Sequence, residues 1–505
     1  MSIIKQTLRN LSIAIVGILI ANSAFAKDNA DKQIVQIEND CVLTKAGNIY
    51  CWGNNYYSQA GYDNKENQYK NGFINQVFLG GSNPNADHTY YKLLGFKDGK
   101  PTIEKYKERV NWDEMRDLAK NNTPLVTINH NADTAFYPNE IQKPKGEYFT
   151  KIMHSGLTKC ATTNTNTLYC WGYGSHGVLG NGKITNSPIP QKVLIDDTII
   201  KVDNPTIESM YALTKDGDIY VWGENQEYGK KTIAHPKPTK FSSNVKFKEV
   251  YRISWANRLD SLAMGVDNKL YKLDINLKNA SIVASEVMFP NKDTTIKKVV
   301  ANGNFVCALD SRSKLYCWGW GYSYGFGAKD IETPKVAFNG IKDVLIIPYF
   351  NKNNKGPSGG ICVEPTLSSG IMCFGDGTPT KKRVANNNVN ILGANTISNI
   401  AEYNAGICFI ANYKNSKNAV LCMDEGFNDI KKVIEDVKFY NDSCAVTNDD
   451  KLFCWGGTSD GLGSYGYGIS KITKYIDGGV VTAGFTTTIP TQVIIPPKPQ
   501  KAKLN

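Results

Sequence analysis

The chain has 505 residues, a formal net charge of +11 and 41% hydrophobic residues, enough apolar material for a large core. Lysine and acidic residues are interspersed, with no arginine-rich stripe or basic arm, so the basic excess describes a solvated surface and no nucleic-acid partner is expected. Twelve cysteines form an even set that falls wholly into pairs, which predicts a disulfide framework and an oxidising compartment.

Residues 1–26 read as a secretory signal peptide. Lys5 and Arg9 form a short basic region, residues 11–21 are nearly all apolar, and Ala24-Phe25-Ala26 is a small-x-small cleavage site. The apolar run is too short and wrongly flanked for a transmembrane helix, and no second run approaches about 18 residues. The mature chain is expected to start at Lys27, without membrane attachment, in a periplasm or secreted from the cell.

The first hairpin follows. Pairing Cys41 with Cys51 sets Val42 across from Tyr50 and Leu43 across from Ile49, and leaves Lys45-Ala46-Gly47 as a three-residue loop. Such loops end in a left-handed residue, for which glycine is the least strained choice. Directly opposed residues of a non-hydrogen-bonded pair bring Cα atoms to about 4.5 Å, within disulfide reach. The pattern returns at Cys160/Cys170, Cys307/Cys317 and Cys444/Cys454, and in longer forms at Cys362/Cys373 and Cys408/Cys422. Two copies lack the thiols, Tyr211 to Val221 and Leu262 to Lys272. Six bridges, each within one hairpin, are expected. The five histidines stand away from the cysteines, so neither a metal nor another cofactor is expected.

Between the first and second hairpins the spacing breaks. Hairpins start 36 to 55 residues apart, but Cys41 and Cys160 are 119 apart. The excess marks an insertion at 61–138, and its segment 102–121 predicts an amphipathic helix with Ile103, Tyr106, Val110, Met115 and Leu118 near a helical period. Loops this long inside compact domains tend to be functional. Tyr106, Trp112 and Met115 are the candidate partner anchors there.

Each unit carries two more strand-like segments, such as 188–195 and 198–202 ahead of the hairpin at Tyr211. Four short strands per unit of this length make the blade of a propeller. The first unit lacks the earlier of these strands, and 488–495 is expected to return and pair beside 33–37, closing the ring and leaving no open edge. The eight hairpins therefore predict an all-β, closed β-propeller of seven or eight four-stranded blades, eight favoured, spanning 27–498, with one α-containing insertion and a disordered tail at 499–505. Trp52, Trp171, Trp222, Trp318 and Trp455 are expected to pack against their own blades.

The hairpin motif supports a resemblance. Ala212-Leu213-Thr214-Lys215-Asp216-Gly217-Asp218-Ile219-Tyr220-Val221-Trp222-Gly223, with the trailing Gly177-Val178-Leu179-Gly180 and Gly461-Leu462-Gly463, is similar to the regulator of chromosome condensation repeat. Trp-Gly follows five copies and is absent near 262–274 and 408–424. The resemblance implies a propeller, normally of seven blades, that binds another protein. Nucleotide exchange on a small GTPase and inhibition of an extracellular enzyme are two activities it implies.

No nucleophile elbow, zinc-protease, phosphate-loop or sialidase box occurs in the sequence, and the chain is not expected to be an enzyme. The favoured reading is a secreted, disulfide-stabilised, monomeric protein that binds another protein, as an inhibitor or a host-directed factor. The alternatives are exchange activity and an unrecognised propeller enzyme acting on carbohydrate. The segments after each Trp-Gly supply a second candidate binding face: Tyr56, Tyr57, Tyr173, Trp320, Tyr322, Tyr324, Tyr465 and Tyr467, whose aromatic, glycine and serine mixture suits protein recognition.

Overall fold

The computed structural model describes residues 33–54, 57, 60, 73–78, 90–97, 100–107, 125–129, 134–206, 208–225, 233–252, 261–301, 305–320, 330–347, 360–367, 372–375, 396–403, 406–414, 416–423, 430–441, 444–456, 473–477, 480–484, 487–493 and 495. Among these residues every element is a β-strand except one 3-10 turn at Ser175–Gly177. The signal peptide, the terminal tail, Trp112 and Met115 lie outside the described residues.

Eight successive antiparallel arrays account for most strands among the described residues. The second is representative: Phe149–Ser155, Thr158–Thr163, Leu168–Gly172 and Ser187–Lys192 pair in chain order. The hairpin thus forms strands two and three, and the proline-bearing segment is the fourth strand of the same sheet. This phase differs from the one the sequence suggests, in which 188–195 belongs to the following unit. Residues 199–206 open that next sheet instead.

The same phase governs the chain end. Thr487–Val493 pairs with Leu452–Gly456 and completes the eighth sheet, with Leu452 facing Val493. It does not pair beside 33–37, so the expected latch strand is overturned. The fourth strand of the first sheet is Thr134–Glu140, whose Tyr50–Glu140 and Cys51–Asn139 pairs restore the missing edge.

Hairpin registers follow the cysteines. Cys41 faces Cys51, Cys160 faces Cys170, Cys307 faces Cys317, Cys362 faces Cys373, Cys408 faces Cys422 and Cys444 faces Cys454. Five of these pairs are bridged with Cα separations of 4.1–4.2 Å, and Cys362 is disulfide-bonded as well. The register comes from the turn. Gly47, Asn166, Gly217, Asn268, Ser313 and Asp450 occupy one equivalent position and all have φ between 60° and 85°. Four copies thus hold a non-glycine residue in the left-handed region, which costs about 1–2 kcal/mol each.

Neighbouring sheets are joined through these turns and through the tryptophans. The carbonyls of Gly47, Gly217 and Ser313 accept the backbone N–H of Phe149, Phe247 and Ile341, the first strand of the next sheet. Trp171 packs with Cys41, Leu43 and Cys51 of the first sheet, and Trp222 with Cys160, Leu168 and Cys170 of the second. Trp455 packs with Cys408, Ile410 and Cys422 of the seventh, and Trp318 with Leu262, Met264 and Leu270 of the fourth. Each ring therefore sits in a cluster shared between its own blade, as expected, and the preceding sheet with its bridge, where one is present. Trp52 of the first sheet follows the rule by packing with Cys444, Leu452 and Cys454 of the eighth. Asn441 donates to the Ile37 carbonyl at 3.1 Å across the same junction.

The insertion is a separate four-stranded sheet ordered Phe73–Phe78, Leu125–Asn129, Tyr90–Lys97, Lys100–Lys107. Residues 100–107 are a strand, with Leu93 facing Ile103 and Tyr91 facing Lys105. The helix expected to begin at 102 is therefore corrected over 102–107, and its remainder, 108–121, lies outside the described residues. The helical spacing misled because Ile103 and Tyr106 also fit a strand carrying one irregularity, and pairing with 90–97 decides the conformation. Thr134 already belongs to the first sheet, so the inserted chain stops before it and not at 138.

Candidate functional site

In a four-stranded antiparallel sheet the links from strand one to two and from three to four emerge at the same end. Among the described residues, the strand-three-to-four link carries the inserted sheet in the first unit and a second inserted hairpin of Thr473–Asp477 and Val480–Gly484 in the eighth. The two insertions meet, since Val480–Gly484 contacts Phe73–Phe78.

Tryptophan-glycine is what aims these links. Gly172, Gly223 and Gly319 have φ of 93°, 95° and 96°, a conformation open to glycine and strained for other residues. At Gly223 an added Cβ would stand 2.4 Å from the Glu208 carbonyl oxygen, so the strand also passes too close to its neighbour for a side chain.

The structure brings together two of the predicted aromatic residues. Tyr57 meets Tyr173 edge-on with ring centroids 4.7 Å apart. Tyr173 is 8% exposed and packs in the cluster of Val178 and Leu179, which makes it a strut beneath the face. Burial pushes its phenol pKa up, and Glu208 adds to the shift. Tyr106, half-buried, lies under two ammonium groups, Lys92 at 4.7 Å and Lys107 at 5.3 Å from its ring, a cation–π arrangement. Trp320 ends the strand Lys314–Trp320 across from Asp330. Tyr56, Tyr322, Tyr324, Tyr465 and Tyr467 lie outside the described residues.

Two further groupings were not anticipated. The first is a cleft between the first strands of sheets one to three, lined by Glu38, Asn39, Lys151, His154, Lys201 and Asp203. His154 Nδ1 is 3.8 Å from Asp203 Oδ1, and the Tyr211 hydroxyl reaches Asp203 Oδ2 at 3.5 Å. Burial holds the imidazole below its ordinary value of 6.5, Asp203 opposing and Lys159 adding to the shift. The unfolded chain therefore takes up this proton first as pH falls. Stability is expected to be full above pH about 6.5 and to decline below it, as denaturation midpoints measured from pH 7.5 to 5 would show. His154→Gln should flatten that segment of the profile, and an unchanged slope would remove His154 from the account.

The second grouping is His176, Glu208 and Glu224. His176 belongs to the 3-10 turn after the second Trp-Gly, Glu208 to the link between strands one and two of the third sheet, and Glu224 to the strand after Trp222-Gly223. The Glu224 N–H donates to the Glu208 carbonyl at 2.6 Å, which places the two acids side by side. His176 Nδ1 contacts Glu224 Oε2, and its Nε2 lies 3.9 Å from Glu208 Oε1. Glu224 is 5% exposed. In sequence only His176 stood in a segment of interest, because packing of sheet two on sheet three unites the three.

Comparison with known proteins bears on the repeat. Residues 166–203 and 296–325 match models of the regulator of chromosome condensation (RCC1) repeat. The E3 ubiquitin-protein ligase HERC2 of Mus musculus is 32% identical over 120 residues, 23% of this chain and 2% of that protein. The mitochondrial RCC1 domain-containing protein RUG3 of Arabidopsis thaliana is 27% identical over 93 residues, 18% of this chain and 21% of that one. The chain thus spans a small part of the curated relatives it matches. Among solved structures, Prp20p of Saccharomyces cerevisiae aligns over 60% of this chain and 77% of its own at 16% identity and TM-score 0.31. Human WBSCR16 aligns over 89% and 94% at 13% identity and TM-score 0.33. With hairpins inside antiparallel sheets along the described residues, the chain is an all-β protein in which two segments match the regulator of chromosome condensation repeat.

Proposed function

We propose that the chain is exported, oxidised, closed into a ring of eight blades, and binds another protein through the end that carries both insertions. The packing of Trp52 on the eighth sheet supports closure, because it repeats the contact made between consecutive sheets elsewhere. The bridged hairpins, with no free cysteine among the described residues, support an oxidising compartment. One observation carries the binding reading: the inserted sheet and the 473–484 hairpin occupy the same link in adjoining units and touch. Extra structure concentrated at one end adds surface without adding to the stack of blades.

Replacing 61–132 with a short Gly-Ser connection tests this. The shortened protein is expected to keep its bridges and to melt within a few degrees of the full chain. It should lose the protein that the full chain retains from periplasm or culture fluid in affinity capture. Retention of the same protein by the shortened chain would move the binding role to the Tyr57 segment and its counterparts.

A further inference from the structure

We propose that His176, Glu208 and Glu224 form a binding site for a divalent transition metal of the zinc class. One imidazole nitrogen and two carboxylate oxygens, one from each residue, all lie within 4.8 Å of one another. This donor set suits zinc, with imidazole and carboxylate both among its usual ligands, and three protein ligands leave a fourth position open. It offers no thiolate, which separates it from the soft structural sites that cysteines build.

Charge supports the assignment. With neutral imidazole the group carries two negative charges, one of them on the nearly buried Glu224. A buried carboxylate is costly unless a cation offsets it. Protonated His176 offsets one of the two charges, whereas a divalent ion offsets both and holds the imidazole neutral. The frame is fixed before any ion arrives. The Glu224 N–H to Glu208 carbonyl bond and the side-chain-free approach at Gly223 set the spacing of the acids. Gly177, with φ of 84° and Pro236 Cα 2.4 Å from the place of an added Cβ, seats the turn that carries His176 against the third sheet.

The test uses the full mature protein, stripped with chelator and titrated calorimetrically with zinc chloride at pH 7.5, with calcium chloride as the hard-cation control. One zinc per chain and a rise in melting temperature are expected, with no comparable response to calcium. His176→Ala and Glu224→Gln should each weaken binding beyond the roughly ten- to hundredfold that loss of a supporting contact costs. His154→Gln, in the separate cleft, should bind as the parent does. Glu208→Gln keeps the test sound if a Glu224 variant folds poorly, since Glu208 is half-buried and set in a link. Absence of zinc binding, or binding that survives both His176→Ala and Glu208→Gln, overturns the site and leaves a histidine paired with two acids.

Discussion

Removal of one bridge, by Cys160→Ala with Cys170→Ala, is expected to destabilise the protein by at least about 3 kcal/mol in denaturant titration. The two residues lie ten apart, and freeing a loop of that size returns about 2.5–3 kcal/mol of conformational freedom to the unfolded chain. Packing adds to this loss. Both cysteines are fully buried in the cluster that holds Trp222, so deletion of two sulfurs opens space beneath an indole that has little room to follow. The register itself should survive. Tyr211 faces Val221 and Leu262 faces Lys272 without any bridge, because the left-handed residue of the turn already sets the pairing. The double variant should therefore keep its far-ultraviolet spectrum while its midpoint falls. A midpoint equal to the parent's would mean that the bridge adds nothing to the turn.

Asp40→Ala is expected to cost about 3–5 kcal/mol, towards the lower end. Lys159 is 1% exposed and forms an ion pair with Asp40 from the first sheet, itself 26% exposed. An ammonium group sealed between two sheets has surrendered its hydration, and Asp40→Ala removes a carboxylate that offsets that burial. The partial exposure of Asp40 moderates the loss, since water can reach part of the vacated place. Replacing both groups, Asp40→Leu with Lys159→Met, should recover most of the stability, since removing the lysine removes the charge that needed a partner. If the single and double variants unfold at the same denaturant concentration, the pair is not what holds this junction.

The hairpins were legible because their determinants are local. Cysteine spacing, the Gly47 position and the alternation of facing residues all act within a dozen residues, and the registers agree residue by residue. Blade phase was not legible, because 188–195 adjoins two hairpins in sequence and only lateral pairing assigns it to the earlier one. The tryptophans were legible only on their own-blade side, for a related reason. Alternation shows that Trp222 leaves its strand on a buried face, but which neighbour lies on that face depends on how the sheets stack. At the insertion, Ile103 and Tyr106 satisfied a helical spacing in a segment where strand pairing prevails. The His176 group was hidden most completely, since its members come from two units and no motif joins them.

The way the inserted sheet is entered and left bears on how the first blade assembles. Asn54 and Thr134, which must meet to complete that blade, are separated by a chain about five times longer than the one between Gly172 and Ser187, a difference worth about 1.5 kcal/mol of closure entropy for a structureless loop. The insertion's first and last described strands, Phe73–Phe78 and Leu125–Asn129, run side by side, with Phe73 directly across from Asn129. Once that pair has formed, the tether between Asn54 and Thr134 shortens to its two stems, and most of the entropic burden disappears. The guest sheet thus acts as its own clasp, and a host built of short links can carry a long graft provided the graft folds before the blade around it is finished.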